Sequence, residues 1–148
     1  LLTDPLVIDA SVVVKLVLRE AYSEHANALW SDCRDHGTVV AAPSLLAAEV
    51  ANALYQQARR ANVRPDEAAQ ALDRYTRLVI RMVEPTPIIS DALAFTQLHG
   101  LRAVYDSIYV VLARQLGADL WTADTRLLNA LGGAAPWVRW IGAYPLIV

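Results

Sequence analysis

The segment Leu6-Val7-Ile8-Asp9 constrains this chain more than any other. From Leu6 to Val14 the residues are mostly β-branched and apolar, the composition of a strand buried on both faces. Such a strand belongs to a parallel sheet covered by helices. Asp9 ends it, and an ionised carboxylate in apolar surroundings is costly unless positive charge meets it. Lys15 is the nearest cation in sequence, but Val12, Val13 and Val14 lie between. Further acids in comparable settings would point to a shared metal ion.

The rest of the chain alternates short apolar strands with amphipathic helices. Ser11 to Leu18 reads as a helix. Ala26, Leu29, Trp30 and Cys33 share a second helical face that Gly37 closes. Thr38 to Ala42 is a strand, and Ser44 is the expected N-cap of a long helix with Leu46, Val50, Ala53 and Leu54 on its apolar side. Pro65-Asp66-Glu67 opens another helix, whose stripe runs through Ala68, Leu72, Tyr75, Val79 and Met82. Met82 to Glu84 is a brief strand. Ile88, Ala92 and Phe95 predict a helix ending before Gly100, and Asp106-Ser107 is the expected start of the next, capped by Gly117. Ala118 to Thr122 is a strand, Asp124 the N-cap of Thr125 to Leu131, and Val138 to Ile141 a last strand. The pattern predicts a single α/β domain over residues 1–148 with a mainly parallel sheet.

A length of 148 residues, 55% of them hydrophobic and 19% charged, suits one well-buried core and excludes disorder. The apolar excess leaves surface for a partner or a second copy. No apolar run is long enough to span a bilayer. No cationic leader with a cleavage site is visible, although a chain that begins without Met leaves room for a trimmed start. The single Cys33 allows no internal disulfide, so a reducing cytoplasm is the expected setting. A net charge of −2 argues against simple electrostatic binding of nucleic acid. It does not exclude an enzyme whose bound cations reverse the local charge.

Ligands of open α/β sheets bind beyond the carboxyl ends of the strands. Four acids fit that place. Asp9 ends the first strand, Glu49 lies early in the helix after the second, Asp106 opens the helix before the 118–122 strand, and Asp124 follows that strand. Crowded carboxylates repel one another, and a hard divalent cation such as Mg²⁺ removes the conflict. Singly, Asp106 and Asp124 read as helix caps, and Glu49 is as well suited to an arginine partner as to a metal. Ser11 and Thr122, two residues from Asp9 and Asp124, could support a metal or a carboxylate, or be local caps. His25, His36 and His99 lack ligand spacing, and the four tryptophans read as core or interface. Arg59, Arg60, Arg64, Arg74, Arg77 and Arg81 could track a phosphate backbone, with a solvated helix face as the commoner explanation. No glycine-rich nucleotide loop and no G-x-S-x-G elbow is present. Cys33 has no activating neighbours.

With these residues in view, the chain resembles the PIN domain nucleases, and among them the VapC toxins of bacterial toxin–antitoxin pairs. The matching blocks are VIDASVVVKLVL around Asp9, APSLLAAEVANAL around Glu49, and HGLRAVYDSIYVVLARQLGADLWTADTRLL around Asp106 and Asp124. The resemblance implies a Rossmann-like three-layer α/β/α sandwich and a pocket in which Asp9, Glu49, Asp106 and Asp124 hold Mg²⁺ or Mn²⁺, assisted by Ser11 and Thr122. It also implies ribonuclease activity, a homodimer, and inhibition by a cognate antitoxin. The segment from Arg59 to Met82 carries no family motif.

The expected function is therefore a metal-dependent endoribonuclease acting as a toxin, with Asp9 and Asp106 as first ligands. The alternatives are a PIN nuclease of RNA processing or decay, and a non-catalytic dimerising module.

Overall fold

A computed structural model describes residues 4–147. The elements are β1 (Leu6–Ile8), α1 (Ala10–Val17), α2 (Ser23–His36), β2 (Val40–Pro43), α3 (Leu46–Arg59), α4 (Pro65–Thr76), β3 (Arg81–Val83), α5 (Ile89–His99), α6 (Val104–Leu116), β4 (Leu120–Thr122), α7 (Thr125–Leu131) and β5 (Val138–Trp140). The strands form one sheet in the order β3-β2-β1-β4-β5, and all four pairings are parallel.

The crossovers from β1 to β2 and from β2 to β3 move one way along the sheet, and those from β3 to β4 and β4 to β5 move the other way. Right-handed connection places α1–α4 on one face and α5–α7 on the other, giving the expected α/β/α sandwich. Helices α1, α2, α3 and α4 pack on one another, while α5 packs on α6 and α6 on β1, β2 and β4. The core is continuous through the sheet: Val7, Ala42 and Leu120 are fully enclosed, as are Val13 and Val50 on one side and Val110, Val111 and Ala113 on the other. Strand order reverses between β1 and β4. At such a switch point the flanking loops part and leave a crevice at the carboxyl edge of the sheet.

Several local expectations are corrected. Ser44 does not cap α3. Its N–H donates to Val83 O at 2.9 Å and extends the β2–β3 ladder, so the helix starts at Leu46 without a side-chain cap. The stripe drawn through Val79 and Met82 breaks because α4 stops at Thr76. Val79 is 88% exposed beyond it, and Met82 belongs to edge strand β3. Helix α6 begins at Val104, two residues before Asp106, with Ala103 as its N-cap. Asp106 therefore sits inside the first turn and caps nothing. Its carboxylate is left available while still favoured by the helix N-terminus.

Candidate active site

Asp9 is the first residue past β1 and the N-cap of α1. The pairing Val7↔Leu120 and Ile8↔Trp121, carried one step further, puts Asp9 beside Thr122. The side chains meet there. Asp9 Oδ1 accepts from Ser11 Oγ at 2.5 Å and from the Val12 N–H at 3.3 Å, and Oδ2 accepts from Thr122 Oγ1. Ser11 Oγ in turn accepts from the Ala123 N–H at 2.8 Å, and Thr122 Oγ1 from the Asp124 N–H at 3.0 Å. Two hydroxyls thus tie the end of β1 to the end of β4. Thr122 has no solvent exposure, so its hydroxyl is a fixed part of this lattice rather than a local cap.

Asp124 caps α7, as expected. Its Oδ1 accepts from the N–H groups of Arg126 at 2.9 Å and Leu127 at 3.2 Å. Glu49 lies in the first turn of α3, after β2. Its Oε1 accepts from the Tyr109 hydroxyl at 2.6 Å. Tyr109 stands three residues after Asp106 on α6, the spacing of one helix face. The side that carries Asp106 therefore also holds Glu49 in place. Because α6 leads back to the start of β4, its own start lies at the carboxyl edge of the sheet. All four acids gather at that edge.

Their electrostatics agree with this placement. Burial pushes the Asp9 carboxyl up to about 6, against the pull of the bonds from Ser11, Thr122 and Val12, and the charge of Asp124 adds to the rise. Burial also raises Glu49, offset by the Tyr109 bond and reinforced by Asp106. Asp106 is raised by burial and by Asp124. The chain of mutual influence runs from Asp9 through Asp124 and Asp106 to Glu49. Burial, then the charge of Glu49, drives the Tyr109 phenol far above its ordinary range, so it stays a donor.

Among the described residues, no lysine, arginine or histidine side chain is paired with any of these four carboxylates. Lys15 turns to Glu20 at 3.0 Å. No three His, Cys, Asp or Glu side chains among the described residues form a ready-made metal cage. Unneutralised carboxylates hold one another apart. The donor set still fits a hard cation. It is all oxygen, and several of those oxygens have no hydrogen bond from the protein among the described residues: Glu49 Oε2, Asp124 Oδ2 and both of Asp106. Mg²⁺ takes one or two carboxylates directly and fills its octahedron with water, so four touching ligands are not required.

The other sequence candidates fall elsewhere. His25 Nδ1 meets Tyr144 O at 2.7 Å and His36 Nδ1 meets Asp32 O at 2.8 Å, both structural contacts. Trp137 donates to Val110 O at 2.9 Å, and Trp121 packs edge-on against Tyr144. Cys33 is buried, and burial pushes its thiol up to about 11. Arg64 pairs with Asp66 and Glu67, Arg77 with Asp73, and Arg74 donates to Val17 O at 2.7 Å. Three of the six arginines of that set are thus held by the protein itself. Tyr109 escaped the sequence reading because its place in an apolar helix made it look like core. The one available signal was its position three residues after an acid.

The PIN domain family profile matches residues 6–132. Ribonuclease VapC3 of Pyrobaculum aerophilum is 36% identical over 124 residues, which cover 82% of this chain and 91% of that protein. Ribonuclease VapC1 of Mycobacterium tuberculosis is 35% identical over 92 residues, 62% of this chain and 67% of that one. The crystal structure of PAE2754 from Pyrobaculum aerophilum superposes with a TM-score of 0.69 at 23% identity, over 94% of this chain and 85% of that chain. That likeness is one of fold.

Proposed function

This chain belongs to the PIN domain family, and on that premise we propose that it is a metal-dependent endoribonuclease, the toxin of a type II toxin–antitoxin pair. The observation that carries the proposal is the gathering of Asp9, Glu49, Asp106 and Asp124 at the β1/β4 switch with no ion-paired basic side chain among the described residues. Relatives named as ribonucleases support the reaction class.

Asp9 and Asp106 would hold Mg²⁺ or Mn²⁺ directly, with Glu49 and Asp124 completing the shell, serving a second ion or orienting water. The chemistry such an ion supplies is polarisation of a phosphoryl oxygen and a lowered pKa of water. The protein's part is positioning. Ser11 and Thr122 hold both oxygens of Asp9; Oδ1 also accepts from the Val12 N–H, so Oδ2 is the oxygen that keeps a lone pair for a ligand. Tyr109 fixes Glu49 through Oε1, and the start of α7 fixes Asp124 through Oδ1, leaving the second oxygen of each for the ion or the attacking water. Glu49, raised by burial, is suited to accept the proton that water gives up. Attack by water leaves a 5′-phosphate and a 3′-hydroxyl. The chain would act as a homodimer in the cytoplasm, silenced by its cognate antitoxin.

Sequencing RNA ends after expression of the wild type and of Asp106→Ala tests this. New 5′-phosphate ends that vanish in the variant support the proposal. 2′,3′-cyclic phosphate ends, or identical RNA from both proteins, overturn it.

A further inference from the structure

A groove of about 380 Å³ opens from the acid edge, between the turn leading into α6 and helix α7. Asp106 and Asp124 line its inner end, Arg102 and Arg126 its rim, and Leu101, Ala103, Leu127 and Ala130 complete it. Both arginines are exposed. Among the described residues neither makes a salt bridge or a side-chain hydrogen bond, although two carboxylates share the groove with them. Six of the other cations are engaged: Lys15, Arg64, Arg77 and Arg139 with carboxylates, Arg74 with a carbonyl, and Arg114 over the Phe95 and Trp137 rings; what sets Arg102 and Arg126 apart is that they share a groove with two of the four acids. Two guanidiniums without a side-chain partner, beside the Asp106 carboxylate and the second oxygen of Asp124, make a site of alternating sign. Its negative part suits a cation and its positive part suits an anion that arrives with that cation.

An RNA strand brings such an anion. Each scissile phosphate has a phosphate on either side, and in a protein of net charge −2 those neighbours need cations of their own. A guanidinium presents a planar fork that matches phosphate oxygens. The groove lies near the lower end of the volume range of small-ligand pockets, roughly 300–1,000 Å³. It can take one or two units of an extended strand. The basic residues picked out by sequence lie elsewhere. Arg59 is ten residues beyond Glu49 on α3, about 15 Å along the helix axis.

We propose, resting on the nuclease reading above, that Arg102 and Arg126 bind the phosphates flanking the scissile bond of an RNA strand laid along the groove between α6 and α7. They are positioning residues. They fix the register of the strand over the acids and take no part in bond breaking.

The test is the salt dependence of binding of a fluorescein-labelled, mixed-sequence single-stranded RNA. It uses the full chain with EDTA to block cleavage, alongside cleavage kinetics with Mg²⁺. Arg102→Ala and Arg126→Ala are each expected to lower the slope of log K against log salt by about 0.7, one single-strand phosphate contact, and to weaken binding about five- to tenfold at low salt. The cleavage loss falls mainly on KM. Arg59→Ala and Arg60→Ala, distant controls, leave slope and KM unchanged. A wild type that cuts RNA while Arg102→Ala and Arg126→Ala keep its slope and KM overturns this proposal alone. A wild type that shows the expected slopes but never cuts RNA overturns the nuclease reading and leaves the strand-binding assignment standing. One that neither binds nor cuts overturns both.

Discussion

The Tyr109 hydroxyl donates to Glu49 Oε1 at 2.6 Å, joining residues sixty positions apart. Tyr109 is 2% exposed. A buried phenol that holds a carboxylate decides where that carboxylate points. Tyr109→Phe removes the bond and keeps the ring, so folding is expected to survive. Losing a hydrogen bond to a charged group is worth about 1.5–3 kcal/mol. RNA cleavage should fall about tenfold or more, mostly in kcat, with RNA binding little changed. Full activity in Tyr109→Phe would show that Glu49 is held by other means.

Asp9→Asn keeps the shape of the side chain and removes its charge. Metal stabilisation of phosphoryl transfer is worth several kcal/mol, so cleavage is expected to drop at least about 100-fold. Circular dichroism should be unchanged. Growth arrest that persists at wild-type strength on expression of Asp9→Asn would mean that metal-assisted hydrolysis is not the toxic property.

Thr122→Val is nearly isosteric but leaves the Asp124 N–H and Asp9 Oδ2 without their shared partner. Buried polar groups that lose a partner cost about 1–3 kcal/mol each. Both stability and activity should decline, whereas Thr122→Ser restores most of each. If serine rescues no better than valine, the hydroxyl is not what matters at this position.

Acid–base behaviour gives a further expectation. The folded Asp9 titrates at about 6, above its ordinary 3.8. Between those values the folded form binds more protons than the unfolded chain. Metal-free protein should therefore be most stable on the acid side of this window and lose stability as pH rises through about 6, by an amount of order 2–3 kcal/mol at most. Divalent cation reverses the loss: an ion at about 100 times its Kd adds about 2.7 kcal/mol. The gain in Tm should be larger at pH 7.5 than at pH 5, where protons compete for the same oxygens. Melting curves in EDTA and in Mg²⁺ at both pH values measure this. Metal-free stability that climbs steadily from pH 4 to 7 would contradict it.

Gly142→Ala probes packing just past β5, beside Trp140. A Cβ there would collide with the ring of Trp140, which itself packs edge-on against Tyr22. Overpacking of this kind costs about 1–3 kcal/mol. The variant should melt several degrees lower with its cleavage chemistry intact, and an unchanged Tm would show that the indole moves aside freely.

Much of this architecture could be read from the chain alone, because its strands are short apolar runs and its helices carry clear stripes. Asp9 was conspicuous because an acid so placed violates the pattern around it. Asp124 before α7 was equally plain. The errors have physical causes. Ser44 carries a capping side chain, but the sheet took its N–H. Val79 and Met82 continue a helical period, but the chain leaves α4 at Thr76 to reach an exposed edge strand. The start of α6 was placed at Asp106 because acids favour first turns as well as caps. Tyr109 offered only its spacing from Asp106, and the Arg102–Arg126 pair offered none, since their meaning comes from contacts between distant segments.

Among the described residues no basic side chain is paired with the carboxyl-edge acids, and this has a consequence for the protein's lifetime. The charge arrangement that recruits the ion also strains the empty form, so ion scarcity should leave a chain that is both idle and more easily opened to proteases. Divalent cation supply would then govern how long each molecule persists as well as what it can cut.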